Sequence, residues 1–234
     1  MKRVIALLAC FALAACGGSG SPQTGTLPAT PDSLAATAPH FQHIILMIQE
    51  NRSFDDFFAT YPGADGAASG KIHTGATVPL TMHNLLGNDS GHTWQAFVTS
   101  YDGGKMDGFD LNGFGGWGSG AKVGTYVYQY VNPAQIQPYW SMAQQYVLAD
   151  RMFETQSSGS FIGHQDLIAG GTAINAKEDL ANYPTSTPWG CDAPSGTRTS
   201  LVTTPRQLLA GVGPFPCMTY ATLADLLDAK HITW

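Results

Sequence analysis

The segment His43-Ile44-Ile45-Leu46-Met47-Ile48-Gln49-Glu50-Asn51-Arg52-Ser53-Phe54-Asp55 constrains this chain most. It is apolar from Ile44 to Ile48 and turns polar at Gln49. A short continuous apolar run predicts a strand over 43–49 with both faces buried, as in a parallel sheet. Open α/β sheets hold their ligands beyond the carboxyl ends of such strands. Glu50 and Asn51 fall at that end, and both offer hard oxygen donors suited to a divalent cation. They fit equally well as the start of a helix, with Asn51 or Ser53 as its cap.

The amino terminus reads as an export signal. Lys2 and Arg3 form a basic n-region, and Val4–Ala14 is apolar but short for a membrane span. Leu13-Ala14-Ala15-Cys16 matches a bacterial lipobox, so residues 1–15 are expected to be removed and Cys16 lipidated. Several acyl chains would anchor the protein stably, at about 0.8 kcal/mol per buried methylene. Gly17 after Cys16 permits outer-membrane sorting in a Gram-negative host. The chain is therefore expected to be exported and lipid-anchored, facing the periplasm or cell surface. Residues 17–39 are rich in Gly, Ser, Thr, Pro and Ala and read as a flexible tether. Residues 40–234 remain for one domain.

Cys10 lies in the signal, and an oxidising compartment favours pairing the two remaining cysteines, Cys191 and Cys217, which lie in Pro/Gly-rich stretches. Two cysteines so far apart are too few for a soft metal site. The net charge of −6 and the lack of a Lys/Arg stripe exclude a nucleic-acid partner.

Within the domain, helices are expected at Ser53–Ala59, 137–149 with Pro138 in the first turn, and Phe161–Ala169. A further helix is expected after Thr222, with Asp225 completing a capping box. Residues 60–135 read as long glycine-rich loops, and loops of that length are usually functional. A short strand or extended segment is expected at 147–153, and the start of a strand at Ile232. A strand that begins in the last three residues predicts a chain that continues past Trp234.

Three candidate sites stand out. Ser160 follows a Gly/Ser turn at the start of a helix, where backbone N–H groups favour anions. It serves as a helix cap or, beside a metal, as a nucleophile. His92 lies in Gly91-His92-Thr93-Trp94, and Asp107 in Met106-Asp107-Gly108-Phe109 reads as a turn former.

These strings together resemble the bacterial phosphoesterase family, which contains phospholipase C and acid phosphatase members and shares the alkaline-phosphatase-like fold. The resemblance runs over about residues 42–234. It is strongest at Glu50-Asn51-Arg52-Ser53-Phe54-Asp55 and at Gly159-Ser160-Phe161 followed by Leu167-Ile168-Ala169-Gly170-Gly171. It implies an α/β core with a mostly parallel sheet flanked by helices, incomplete in this chain. It implies that Glu50 and Asn51 ligate a divalent metal of unknown identity, that Ser160 is the nucleophile and shares the metal, and that His92 faces the reacting phosphate. The substrates implied are phospholipids or small phosphomonoesters. Two departures are visible. Asp56 stands where many members have His, and Gly163-His164-Gln165 stands near the usual Pro-Asn-Arg, with His164 either a substitute phosphate contact or a surface or packed histidine. In the family, further metal ligands, including a pair of aspartates, come from a later part of the chain. A non-catalytic lipoprotein that binds phosphorylated ligands is the alternative reading.

Overall fold

The computed structural model describes residues 41–234. The expected signal peptide, the lipidated Cys16 and the tether lie outside the described residues. The chain divides into a unit ending at Ile48 and a unit over Gln49–Trp234. In the first, residues 43–48 carry no regular secondary structure, and Ile44 and Ile45 are 86% and 88% exposed. The expected strand over 43–49 is therefore absent. A parallel strand needs a neighbour to take its N–H and C=O groups, and among the described residues none pairs with it.

The second unit is mixed α/β with small sheets. The largest has strand order β5(Ala173–Asn175)-β6(Glu178–Ala181)-β7(Ser200–Thr203)-β8(Leu208–Leu209), antiparallel throughout. β1(Ser69–Lys71) and β2(Thr77–Pro79) form an antiparallel pair. Only β3(Thr81–His83) and β4(Gln129–Val131) pair in parallel among the described residues. The expectation of a mostly parallel sheet is corrected accordingly. Short links join β5 to β6 (176–177) and β7 to β8 (204–207), which suit antiparallel neighbours, whereas parallel pairing needs a long crossover; the longer 182–199 segment carries the chain back from β6 to β7.

Two helices sandwich β6 and β7. Successive residues of a strand face opposite ways, and the register pairs Leu180 with Leu201 and Ala181 with Ser200. Leu180 and Leu201 pack with Phe161 and Ile162 of α4(Ser160–Ala169). Ala181 and Val202 pack with Trp94 of α2(Trp94–Tyr101). One strand pair thus sets α4 on one face and α2 on the other. A separate cluster joins Phe57 of α1(Phe54–Phe58) to Val131 and Ile136.

The expected helices form, with local adjustments. Ser53 caps α1 by accepting the Asp56 N–H, and α3 runs over Gln137–Gln145 with Pro138 in its first turn. Thr222 and Asp225 complete the capping box of α5(Leu223–Asp228). Neither 147–153 nor 232–234 is strand. Val147 and Phe153 are exposed, so no packed neighbour repays the ordering of that segment. α2 lies inside the stretch expected to be loop. Cys191 and Cys217 form a disulfide, 26 residues apart in sequence.

Candidate active site

Ser160 is the first residue of α4, and Gly159 is its N-cap in extended conformation. The Ile162 and Gly163 N–H groups both reach the Gly159 carbonyl. The Ser160 N–H donates to the Tyr183 hydroxyl at 3.4 Å. Glycine at 159 is what lets Tyr183 in: a Cβ there would lie 2.4 Å from the tyrosine's Cζ and Oη. Tyr183 is buried, with Trp117 at 4.8 Å and Trp189 stacked at 5.0 Å between ring centroids.

The His92 ring stands edge-on to Tyr183, ring centroid to centroid 6.3 Å. Its backbone N–H donates to the Gly116 carbonyl, and a Cβ at Gly116 would come within 3.0 Å of His92 Nε2. The glycine-rich loop thus lies directly against the imidazole. Asp89 Oδ1 is 3.7 Å from His92 Nδ1.

Asn182 joins these two parts. It sits at φ 56° just after β6, a left-handed corner that Asn tolerates better than most residues. Its Oδ1 accepts the buried Trp94 N–H at 2.6 Å, and its own N–H donates to Ser158 Oγ at 2.6 Å. Its amide nitrogen donates to Gln95 Oε1 at 3.1 Å. The start of α2, two residues beyond His92, is thereby tied to the turn two residues before Ser160. A buried amide at a helix start otherwise lacks a partner.

The Glu50–Asn51 segment approaches the same helix one turn on. Glu50 Oε2 accepts from His164 Nε2 at 3.1 Å, and His164 is four residues after Ser160. Residues four apart share one helix face. Both side chains are more than half exposed, so the pair adds little stability. Asn51 is left-handed at φ 70°. Arg52 holds it there: its guanidinium donates to the Asn51 carbonyl at 2.8 Å, and its Nε lies 3.4 Å from Asp56 Oδ2. The other Asp56 oxygen faces His83 Nε2 at 3.1 Å. Asp56 therefore braces the Glu50–Asn51 corner against β3.

Glu50, His164 and Ser160 share one neighbourhood, and His92 meets Ser160 through Tyr183. Among the described residues, no three His, Cys, Asp or Glu side chains converge as a metal site would need. Glu50 and Asn51 match a hard cation in donor chemistry but fall short in number. A cleft of about 670 Å³ lies behind the Ser157–Ser158 turn, between Trp94, Phe97 and Ile162 on its apolar side and Arg206. Ser160 is not among its lining residues. No described helix is long and apolar enough to cross a membrane.

Sequence reasoning missed Tyr183, Asn182 and Trp189. Tyr183 is buried beside β6 and carries no motif. The glycine before Ser160 was the available signal, since Gly beside a candidate nucleophile invites the question of what approaches it. Asp107 exceeds its expected role as turn former: it is buried, and its Oδ1 has no hydrogen-bond partner.

No solved structure matches this chain. The Phosphoesterase family profile matches residues 41–234, all of the described domain. The chain belongs to the Phosphoesterase family, whose chemistry is the hydrolysis of phosphate esters.

Proposed function

We propose that this protein is a metal-dependent phosphoesterase that uses Ser160 as its nucleophile. The observation that carries the proposal is the placement of Ser160 at the amino terminus of α4, with Glu50 meeting that helix one turn away. Helix N-termini favour phosphate. In this reading Ser160 Oγ attacks phosphorus in line, and the bond from phosphorus to the ester oxygen breaks. The serine's proton passes to solvent, and the leaving alkoxide takes one from solvent as it departs. Water then attacks the phosphoserine, restoring the hydroxyl and releasing phosphate from a monoester or a phosphomonoester from a diester. His92 donates to a phosphoryl oxygen as charge builds there. Glu50, Asn51 and Ser160 would hold a divalent cation together with the oxygens of the substrate. That cation supplies Lewis acidity and lowers the serine's pKa.

Family membership leaves phospholipids and small phosphomonoesters both open as substrates. The lipobox at Cys16 favours a lipid-anchored protein working at a membrane surface. Release of headgroup from phospholipid vesicles, set against turnover of p-nitrophenyl phosphate, separates the two. Ser160→Ala should abolish either activity while leaving the thermal transition in place. Turnover that survives Ser160→Ala contradicts the assignment.

A second reading rests on the shortage of converging acidic ligands among the described residues. A non-catalytic protein would bind phosphate equally well with and without the Ser160 hydroxyl and show no turnover in either form.

A further inference from the structure

We infer that the Tyr183 hydroxyl is a working group of this site, donating its proton to a non-bridging phosphoryl oxygen. The inference rests on the reading of Ser160 as nucleophile. Three observations support it. The hydroxyl oxygen already accepts the Ser160 N–H, so its own proton points elsewhere. No backbone or side-chain acceptor among the described residues takes that proton. The ring is buried, packed on its core side by Phe161, Ile162, Leu180 and Leu201, with Trp117 and Trp189 beside it.

The location fits a phosphoryl oxygen. The hydroxyl contacts the backbone of the nucleophile itself, and the His92 ring lies on the same tyrosine. The Ser160 N–H lies 3.4 Å from the hydroxyl and the His92 ring 6.3 Å from the tyrosine ring, so both donors stand near the start of α4. One donor is an imidazole and the other a neutral phenol, fixed in position before substrate arrives. Preorganised donors of this kind act where charge develops and need no reorganisation. Asn182, the residue before Tyr183, ties the same corner to Ser158 and to the start of α2.

Tyr183→Phe tests the inference. The ring and its packing stay, and one oxygen is lost. The expected result with the full chain is a loss of about 100-fold in kcat, as for other single oxyanion donors. KM should change far less, and the thermal transition should stay close to wild type. A kcat within a few-fold of wild type, while Ser160→Ala is inactive, overturns the role of Tyr183 and leaves the nucleophile intact. A second arm does not depend on turnover. Inorganic phosphate titrated into wild type and Tyr183→Phe, followed by fluorescence of the flanking tryptophans, should show clearly weaker binding by the variant. Equal binding, or no binding by the wild type, overturns the inference. Should Tyr183→Phe unfold, Gly159→Ala displaces the same hydroxyl without removing it and is expected to lower kcat as well.

Discussion

Replacing Gly159 by Ala probes how tightly the nucleophile's turn is built. Gly159 has φ −80° and ψ −178°, which alanine adopts freely, so the backbone resists nothing. The conflict is with Tyr183. The new Cβ would stand 2.4 Å from Cζ and Oη and 2.8 Å from Cε2. Those distances are about 1 Å short of an ordinary van der Waals contact of roughly 3.5–4.0 Å. A tyrosine tip often moves aside at little cost, but this one is buried beside two indoles. Overpacking of a filled site costs about 1–3 kcal/mol. For a domain of this size each kcal/mol lowers Tm by roughly 2–4 °C, so a fall of about 2–12 °C is expected. Thermal unfolding followed by near-UV circular dichroism reads it directly. The control is Gly159→Ala in a Tyr183→Leu background, where the Cζ and Oη atoms are gone. There the second substitution should cost almost nothing, a coupling of about 1–3 kcal/mol for residues in contact. An equal fall in Tm in both backgrounds, or none in either, refutes the contact.

Other outcomes follow from the same structure. Asn182→Ala should lower stability by about 1–3 kcal/mol, because the buried Trp94 amide loses its acceptor. Asn182→Gly, which relieves the left-handed strain but also lacks the amide, should lie between it and wild type in chemical denaturation. Reducing the Cys191–Cys217 bond should cost about 3.5 kcal/mol by the chain-entropy relation for a loop of this length, read as a fall in Tm with dithiothreitol. Burial works to raise the Asp110 carboxyl, but hydrogen bonds from the His73 backbone and ring, with the ring's charge, outweigh it and hold the group below its usual 3.8. A carboxyl lowered by folding stabilises above its unfolded value and loses that contribution as pH falls through the folded one. Asp110→Asn should therefore flatten the acid side of a stability–pH profile below about pH 4, and an unchanged acid limb contradicts the coupling. Asp56→Ala should loosen the Arg52 brace on Asn51 and weaken Mg²⁺ or Mn²⁺ binding in calorimetry more than it lowers Tm.

Local signals carried well from sequence to structure. Ser53, Pro138, Thr222 and Asp225 act through neighbours a few residues away, so their helices were legible from spacing. The helix at Ser160 was legible for the same reason. Strand pairing was not, because an apolar run such as 43–48 states that it is buried without naming its partner. α2 went unseen because Thr93 caps a helix rich in aromatic and β-branched residues, with weak helix propensity, inside a glycine-rich stretch. Of the proposed site, the motif residues Glu50, Asn51, Ser160 and His92 were candidates from sequence alone. Tyr183 and Asn182 could not, because their role comes from a corner after β6 that only the folded chain brings to Ser160. Asp56 had no interpretation in the sequence, and its ties to Arg52 and His83 supply one.

The most direct test of the nucleophile is to trap it. The protein is mixed with a phosphate ester, quenched in acid within the first turnovers, and the peptide bearing Ser160 is weighed and fragmented. The account predicts one added phosphoryl group on Ser160, absent from Ser160→Ala. Steady turnover with no label, or a label on any other residue, would contradict it.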